Sequence, residues 1–259
     1  MLEVYIVDRG LSLLAGKEKG KHVELETRLM AVELLALLKR KFTYRELERL
    51  TGLSNGMLSR YVTGQRVPRK DHAEKIISSI LSKFDIRMLI LERLKESRGY
   101  IDLQLILSDI LLLKLVALKA KLVFGEAGVN KVLVPEAGGI PLATLVAAKL
   151  NADLVIARRR KENPFQYYYE VTLAETPFTS ITFYVPQQLL CRGDRVLLVD
   201  DLVQSGQTLK ALAEIAKKAG AKIVGALALI AVGTNWRRIG IDNVHVVLEI
   251  ADPSKITAT

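Results

Sequence analysis

The chain has 259 residues, half of them apolar and a quarter charged, which suits a soluble globular protein with one large domain or two smaller ones. Its single cysteine, Cys191, excludes an internal disulfide and fits a reducing cytoplasm. The formal net charge is +10 and unevenly placed: residues 1–99 hold 20 Lys and Arg against 13 Asp and Glu, residues 100–259 hold 18 against 15. A basic surplus over the shorter segment favours a polyanion such as DNA as partner.

The N-terminus, Met1-Leu2-Glu3-Val4-Tyr5, lacks the basic start and small-residue cleavage site of a secretory signal. Residues 1–22 are punctuated by Gly10, Gly16 and Gly20 and receive no element. From 23 to 98 the pattern is helical. Val23–Arg40 repeats apolar residues at helical spacing (Leu25, Leu29, Val32, Leu35, Leu38), and Ala73–Leu81 and Ile86–Leu94 do the same.

Between them, Thr43-Tyr44-Arg45-Glu46 reads as a capping box, with Leu47 and Leu50 turned inward. Thr51-Gly52-Leu53 turns the chain, Ser54 is placed to cap a second helix over Asn55–Tyr61 that buries Leu58, and Pro68 blocks continuation. Two short helices joined by a glycine-containing turn form a helix-turn-helix, whose second helix enters the major groove. Ser54, Asn55, Ser59 and Arg60 are the exposed candidates for base edges; Arg45, Arg66, Arg69 and Lys70 are better placed for phosphates. Gly56 inside that helix costs about 1 kcal/mol relative to alanine.

The boundary is expected at 99/100, with Gly99 ending a helix. Leu103–Phe124 is expected as one buried helix; Asp109, Lys114, Lys119 and Lys121 argue against a membrane span. Beyond it, short runs of Val, Leu and Ile (Val132–Val134, Leu154–Ala157, Val196–Val199, Ile223–Ile230, Val244–Ile250) alternate with helical patterns such as Leu142–Leu150 and Thr208–Lys218. That alternation implies a mostly parallel sheet flanked by helices, an α/β domain over 100–259 behind an all-α domain over 1–99.

The most specific motif is Val196-Leu197-Leu198-Val199-Asp200-Asp201-Leu202-Val203-Gln204-Ser205-Gly206-Gln207-Thr208. A strand ends in two carboxylates, and a Ser/Gly/Thr loop feeds directly into a helix. The loop's N–H groups and the helix N-terminus make an anion site, Ser205 and Thr208 add hydroxyls, Gly206 permits close approach, and adjacent carboxylates suit vicinal ribose hydroxyls.

These residues resemble the phosphoribosyl pyrophosphate motif of type I phosphoribosyltransferases, with Gln207 standing where the second glycine usually sits. Pro135-Glu136-Ala137-Gly138-Gly139 resembles the family's pyrophosphate loop, and Ala157-Arg158-Arg159-Arg160-Lys161 the basic strand end that contacts pyrophosphate. The ending Gly240–Ile250 is similar to the last strand of orotate phosphoribosyltransferases. The resemblance therefore implies a phosphoribosyl pyrophosphate site formed by Asp200, Asp201, Gln204, Ser205, Gly206, Gln207, Thr208, Glu136, Ala137, Gly138, Gly139, Arg158 and Arg159. Mg2+ would arrive with the ligand's pyrophosphate.

The same family carries a hood after the basic strand, and in its orotate branch the hood brings a basic catalytic residue. Here residues 162–190 contain no Lys, Arg or His; they carry Glu162, Glu170, Glu175 and Tyr167-Tyr168-Tyr169. Positive charge is needed where a leaving pyrophosphate develops its negative charge, so no catalytic residue is assigned. Trp236, within Thr234–Arg238, either packs or contacts a base, with both neighbouring arginines solvated if it packs. His22, His72 and His245 show no metal-ligand spacing.

A helix-turn-helix joined to such a domain resembles the archaeal sugar-catabolism regulators of the GfcR type and, in plan, the bacillary purine repressors. That resemblance implies a cytoplasmic homodimer that binds double-stranded DNA and senses phosphoribosyl pyrophosphate. An active phosphoribosyltransferase acting on a purine or orotate is the alternative.

Overall fold

The computed structural model describes residues 20–97, 100–176 and 178–251. Gly10, Gly16 and the proposed helix terminator Gly99 lie outside them. Contacts divide the chain into two units, the first ending at Asp85 and the second starting at Ile86.

The first unit is helical: α1 (Lys21–Leu38), α2 (Tyr44–Thr51), α3 (Asn55–Val62) and α4 (Lys70–Lys83). Helix α1 packs on α4 and buries Ala31, Leu34, Leu35, Leu37 and Leu38, while α4 buries Ala73, Ile76, Ile77 and Ile80. The apolar repeat expected to face the core is only half used. Leu35 and Leu38 are buried, but Leu25 and Leu29 are 46% and 49% exposed, because the α1 core face runs through Ala31 and Leu34 instead.

The α2 start is the expected capping box. Glu46 N–H donates to Thr43 Oγ1, and Thr43 N–H donates back to Glu46 Oε2 at 2.7 Å. Gly52 ends α2 at φ 67°, a left-handed conformation that suits glycine. Thr51 Oγ1 then donates to Leu47 O and accepts from Leu53 N–H, which fixes the turn. Ser54 is the N-cap of α3, but its side chain makes no cap bond; Met57 and Leu58 N–H donate to its carbonyl instead.

The second unit opens with α5 (Arg87–Glu96), so the helix expected to close the first domain packs with the second, and the division falls at 85/86 rather than 99/100. The reason is a cross-link: Arg93 bonds Asp109 at 3.0 Å, and α5 touches α6 and β7. The single helix expected over Leu103–Phe124 is two, α6 (Leu103–Leu107) and α7 (Ile110–Phe124). Asp102 and Asp109 each accept a backbone N–H as N-caps, of Leu105 and Leu112, and this local capping outcompetes continuous helix. Among the described residues no helix is long and apolar enough to cross a membrane.

There follow β1 (Lys131–Pro135), α8 (Ile140–Leu150), β2 (Asp153–Ala157), β3 (Tyr168–Thr176), β4 (Thr179–Pro186), β5 (Arg195–Val203), α9 (Gln207–Lys218), β6 (Lys222–Val232) and β7 (Val244–Ile250). Strands β2-β1-β5-β6-β7 form one all-parallel sheet in that order. Leu133, Val196 and Leu198 share a core with Leu209, Leu212 and Ile215 of α9. The alternating positions Val132, Val134, Leu197 and Val199 are equally buried. Both faces are therefore covered, which is why these strands read as continuous apolar runs.

The hairpin β3–β4 was not expected. It is antiparallel, and its Val171, Phe183 and Val185 join the α9 side of the core. The alternation in Ile181-Thr182-Phe183-Tyr184-Val185 is its signal in the sequence.

Candidate functional site

The strand order reverses direction between β1 and β5: the chain goes outward from β1 to β2, then returns to the other side of β1. The crevice beyond the carboxyl ends of strands at such a point is where open α/β sheets take ligands. The loop after β1 carries Glu136–Gly139, the end of β2 carries Arg158 and Arg159, and the end of β5 carries Asp200 through Thr208. The structure therefore brings the three sequence segments to one edge of the sheet.

The fit between the first and third segments is close. A Cβ on Gly138 would overlap the Asp201 carboxylate, and one on Gly139 would stand 3.0 Å from Val134 Cγ2. Asp200 is buried and accepts from Asp201 N–H at 3.0 Å; Asp201, half-buried, accepts from Leu202 N–H at 2.8 Å. Burial, then the neighbouring Asp201 charge, pushes the Asp200 carboxyl well above its ordinary range.

Gly206 is the N-cap of α9 at φ 75°, buried against Ile239 and Trp236 so that a side chain there would overlap Ile239. Gln207 N–H reaches Ser205 Oγ at 3.4 Å, and the first N–H groups of α9 have no partner within the helix. Gln204, Ser205 and Gln207 are exposed and Thr208 is half-buried. Backbone donors, two hydroxyls and two carboxylates in this order suit a phosphorylated ribose.

Ala137 and Gly138 are exposed, and the Glu136–Ala137 peptide is cis. Glu136 binds Arg158 Nη1 at 3.2 Å and the Arg159 N–H at 3.0 Å. Arg158 also meets Glu162 at 3.5 Å. Lys161 pairs with Glu170 at 3.0 Å and lies over the rings of Tyr168 and Tyr184. The Arg159 and Arg160 side chains stand exposed. Sequence reasoning missed this carboxylate cover over the basic run, because Glu170 approaches only once the hairpin has formed.

The wall of the loop between β5 and α9 was also missed. Trp236 packs: it is buried and donates from Nε1 to Gly233 O at 3.0 Å. Arg237 and Arg238 are exposed, as expected if Trp236 packs, and Arg237 also pairs with Glu249 at 2.5 Å and stacks on Trp236. Among the described residues no group of three or more His, Cys, Asp or Glu side chains gathers as a metal site.

On the first unit, Arg45, Ser54, Arg60, Arg66, Arg69 and Lys70 are exposed. Asn55 and Ser59, expected to be exposed, are half-buried, and Asn55 Oδ1 is buried without a hydrogen-bond partner. Arg69 and Lys70 line an open depression shared with Glu24, Asp71 and Glu74, so the local charge is mixed. Arg45, Arg60 and Arg66 lie outside that depression.

A phosphoribosyl transferase domain model matches residues 111–255, more than half of the chain. The chain belongs to the phosphoribosyl transferase domain family. A helix-turn-helix model matches residues 34–79, spanning α2 and α3. The orotate phosphoribosyltransferase of Pyrococcus furiosus is 32% identical over 162 residues, 61% of this chain and 80% of that protein. The xanthine phosphoribosyltransferase of Lactobacillus helveticus is 31% identical over 122 residues, 45% of this chain but only 64% of that enzyme. The chain thus spans under two thirds of the xanthine enzyme's length. Among solved structures, adenine phosphoribosyltransferase from Giardia lamblia is 26% identical with a TM-score of 0.52, over 57% of this chain and 84% of that one. The enzyme of the same kind from Rhodothermus marinus is 26% identical with a TM-score of 0.50, over 58% and 85%. These family members match the second unit's type I phosphoribosyltransferase fold.

Proposed function

We propose that this chain is a DNA-binding transcription regulator that senses phosphoribosyl pyrophosphate and controls genes of nucleotide or sugar metabolism. The observation that carries this reading is the union, in one chain, of a helix-turn-helix and a phosphoribosyl crevice whose neighbouring hairpin contains no Lys, Arg or His. The exposed Ser54 and Arg60 on α3 and its flank face solvent and supply contacts to bases, with Arg45 and Arg66 on phosphates.

In the second unit the α9 N-terminus and Ser205–Thr208 hold the 5′-phosphate, and Asp200 and Asp201 accept from the ribose hydroxyls. The Glu136–Gly139 loop and the basic run face the pyrophosphate, whose oxygens bring Mg2+ with them. A two-fold dimer presents two α3 helices to paired half-sites, and ligand binding shifts the population of dimer geometries.

The test is binding to the gene's own upstream DNA at fixed salt, with and without phosphoribosyl pyrophosphate and Mg2+, since affinity for DNA falls steeply with salt. A specific complex that changes with ligand supports the regulator and gives its sign. No specific complex in either condition sinks it.

A second reading, an active phosphoribosyltransferase, is favoured by the names of the relatives, an orotate and a xanthine phosphoribosyltransferase. Pyrophosphate release with orotate, adenine, xanthine or hypoxanthine is its measurement. Turnover with any of these bases establishes it, and none with all four removes it.

A further inference from the structure

Glu136 stands at the carboxyl end of β1, facing the basic run at the end of β2. Both of its carboxylate oxygens are engaged: Oε1 accepts from Arg158 Nη1 at 3.2 Å and Oε2 from the Arg159 backbone N–H at 3.0 Å. Its own backbone is fixed, with N–H donating to Ala157 O at 3.0 Å. From the other side Glu162 approaches Arg158 Nε at 3.5 Å. Two donors at the switch-point crevice therefore already hold an anion, and that anion is part of the chain. The Arg159 N–H and, beside it, the Arg158 guanidinium hold the Glu136 carboxyl below its ordinary range, so it is charged at neutral pH.

The phosphate loop at the end of β5 has no such internal occupant. Ser205 and Gln207 are exposed, and no carboxylate accepts from the first N–H groups of α9 among the bonds of the described residues. The two anion seats of the crevice thus differ: one is open, the other is filled by Glu136.

We infer that Glu136 is a specificity-determining residue, an internal competitor that a diphosphate-bearing ligand must displace from Arg158 and Arg159 while a ligand with a single phosphate need not. This rests on reading the crevice as a phosphoribosyl site. Displacement exchanges two charge-assisted hydrogen bonds and sets the freed carboxylate against the incoming diphosphate charge. The site therefore responds to phosphoribosyl pyrophosphate only at a higher concentration than its donors alone would require. Exchange also reaches the hairpin, because Arg158 and Tyr184 are paired through both backbone bonds, at 2.9 and 2.8 Å.

The experiment is calorimetric titration of the full chain in Mg2+ at fixed ionic strength, with ribose 5-phosphate and phosphoribosyl pyrophosphate as probes, on wild type and Glu136→Gln. The quantity read is the ratio of the two dissociation constants, ribose 5-phosphate over phosphoribosyl pyrophosphate. It is expected to rise about tenfold in Glu136→Gln, about 1.4 kcal/mol of discrimination. An unchanged or lower ratio, with both probes still binding wild type, overturns this inference and leaves the sensor reading standing. Failure of both probes to bind wild type overturns the two together. If Glu136→Gln lowers the thermal midpoint sharply, Glu136→Ala is read by the same ratio.

Discussion

In the helical unit the candidate contacts are side chains standing in solvent. Ser54, Arg45, Arg60 and Arg66 are exposed, whereas α2 and α3 bury Leu47, Thr51, Leu58 and Tyr61. In the α/β unit the candidate contacts are part of the packing. Asp200 is buried, Gly138 lies against Asp201, and Gly206 lies against Ile239 and Trp236. The difference separates two kinds of site. On the first, a side chain can be removed without touching stability; on the second, a substitution is expected to alter stability as well as any binding, in the same or in opposite directions.

That contrast is broken or sharpened by six substitutions, the largest effect first. Asp200→Asn with Asp201→Asn removes both carboxylate acceptors and is expected to weaken phosphoribosyl pyrophosphate binding by roughly 100-fold or more, at about 1.5–3 kcal/mol for each charged hydrogen bond. Asp200→Asn alone separates binding from stability. Burial, then the Asp201 charge, raises the carboxyl, so its contribution to stability is complete below the ordinary carboxylate range. It is lost as pH rises through the raised value. At neutral pH the asparagine variant is therefore expected to melt above wild type, by about 2–4 °C per kcal/mol, with the gap closing toward pH 4; a variant that melts lower at pH 7 would contradict this.

Gly138→Ala must move the Asp201 carboxylate, an overpacking cost of about 1–3 kcal/mol. Calorimetry should show ligand affinity down tenfold or more together with a lower midpoint. A loss of affinity with an unchanged midpoint would mean that the two are not coupled at this position. On the other unit, Arg60→Ala is expected to cost about 1–3 kcal/mol of DNA affinity with the midpoint unmoved, as measured by titration of upstream DNA and by thermal unfolding. The smallest effect distinguishes the two caps. Thr43→Ala breaks a capping box and should cost about 1 kcal/mol of stability. Ser54→Ala removes no cap bond and should stay within about 0.5 kcal/mol.

Much of the site was legible because it is contiguous. The run from Val196 to Thr208 contains its own strand, turn and helix start, so the order of residue types fixes the local geometry before any packing occurs. Glycine positions were legible for the same reason, since Gly52 and Gly206 sit at positive φ in turns that the flanking elements demand. The carboxylate cover over Arg158 and Lys161 was not. Glu170 is nine residues beyond Lys161 and reaches it only through the β3–β4 pairing, and Arg158 is tied to Tyr184 across that hairpin. The pairing of Arg237 with Glu249 was hidden likewise, because it joins the turn after β6 to β7.

The sequence by itself determined the two-part plan, the capping box at Thr43, the five parallel strands and the glycine-containing loop between β5 and α9, all of which rest on periodicity and short-range capping. Tertiary structure decided what depends on distant partners: that α5 packs with the second unit through Arg93 and Asp109, that Leu25 and Leu29 stay exposed, and that Glu136 accepts from both Arg158 and the Arg159 N–H. Local rules fix backbone conformation within a few residues, whereas burial and charge pairing are set by whichever segment the fold brings alongside.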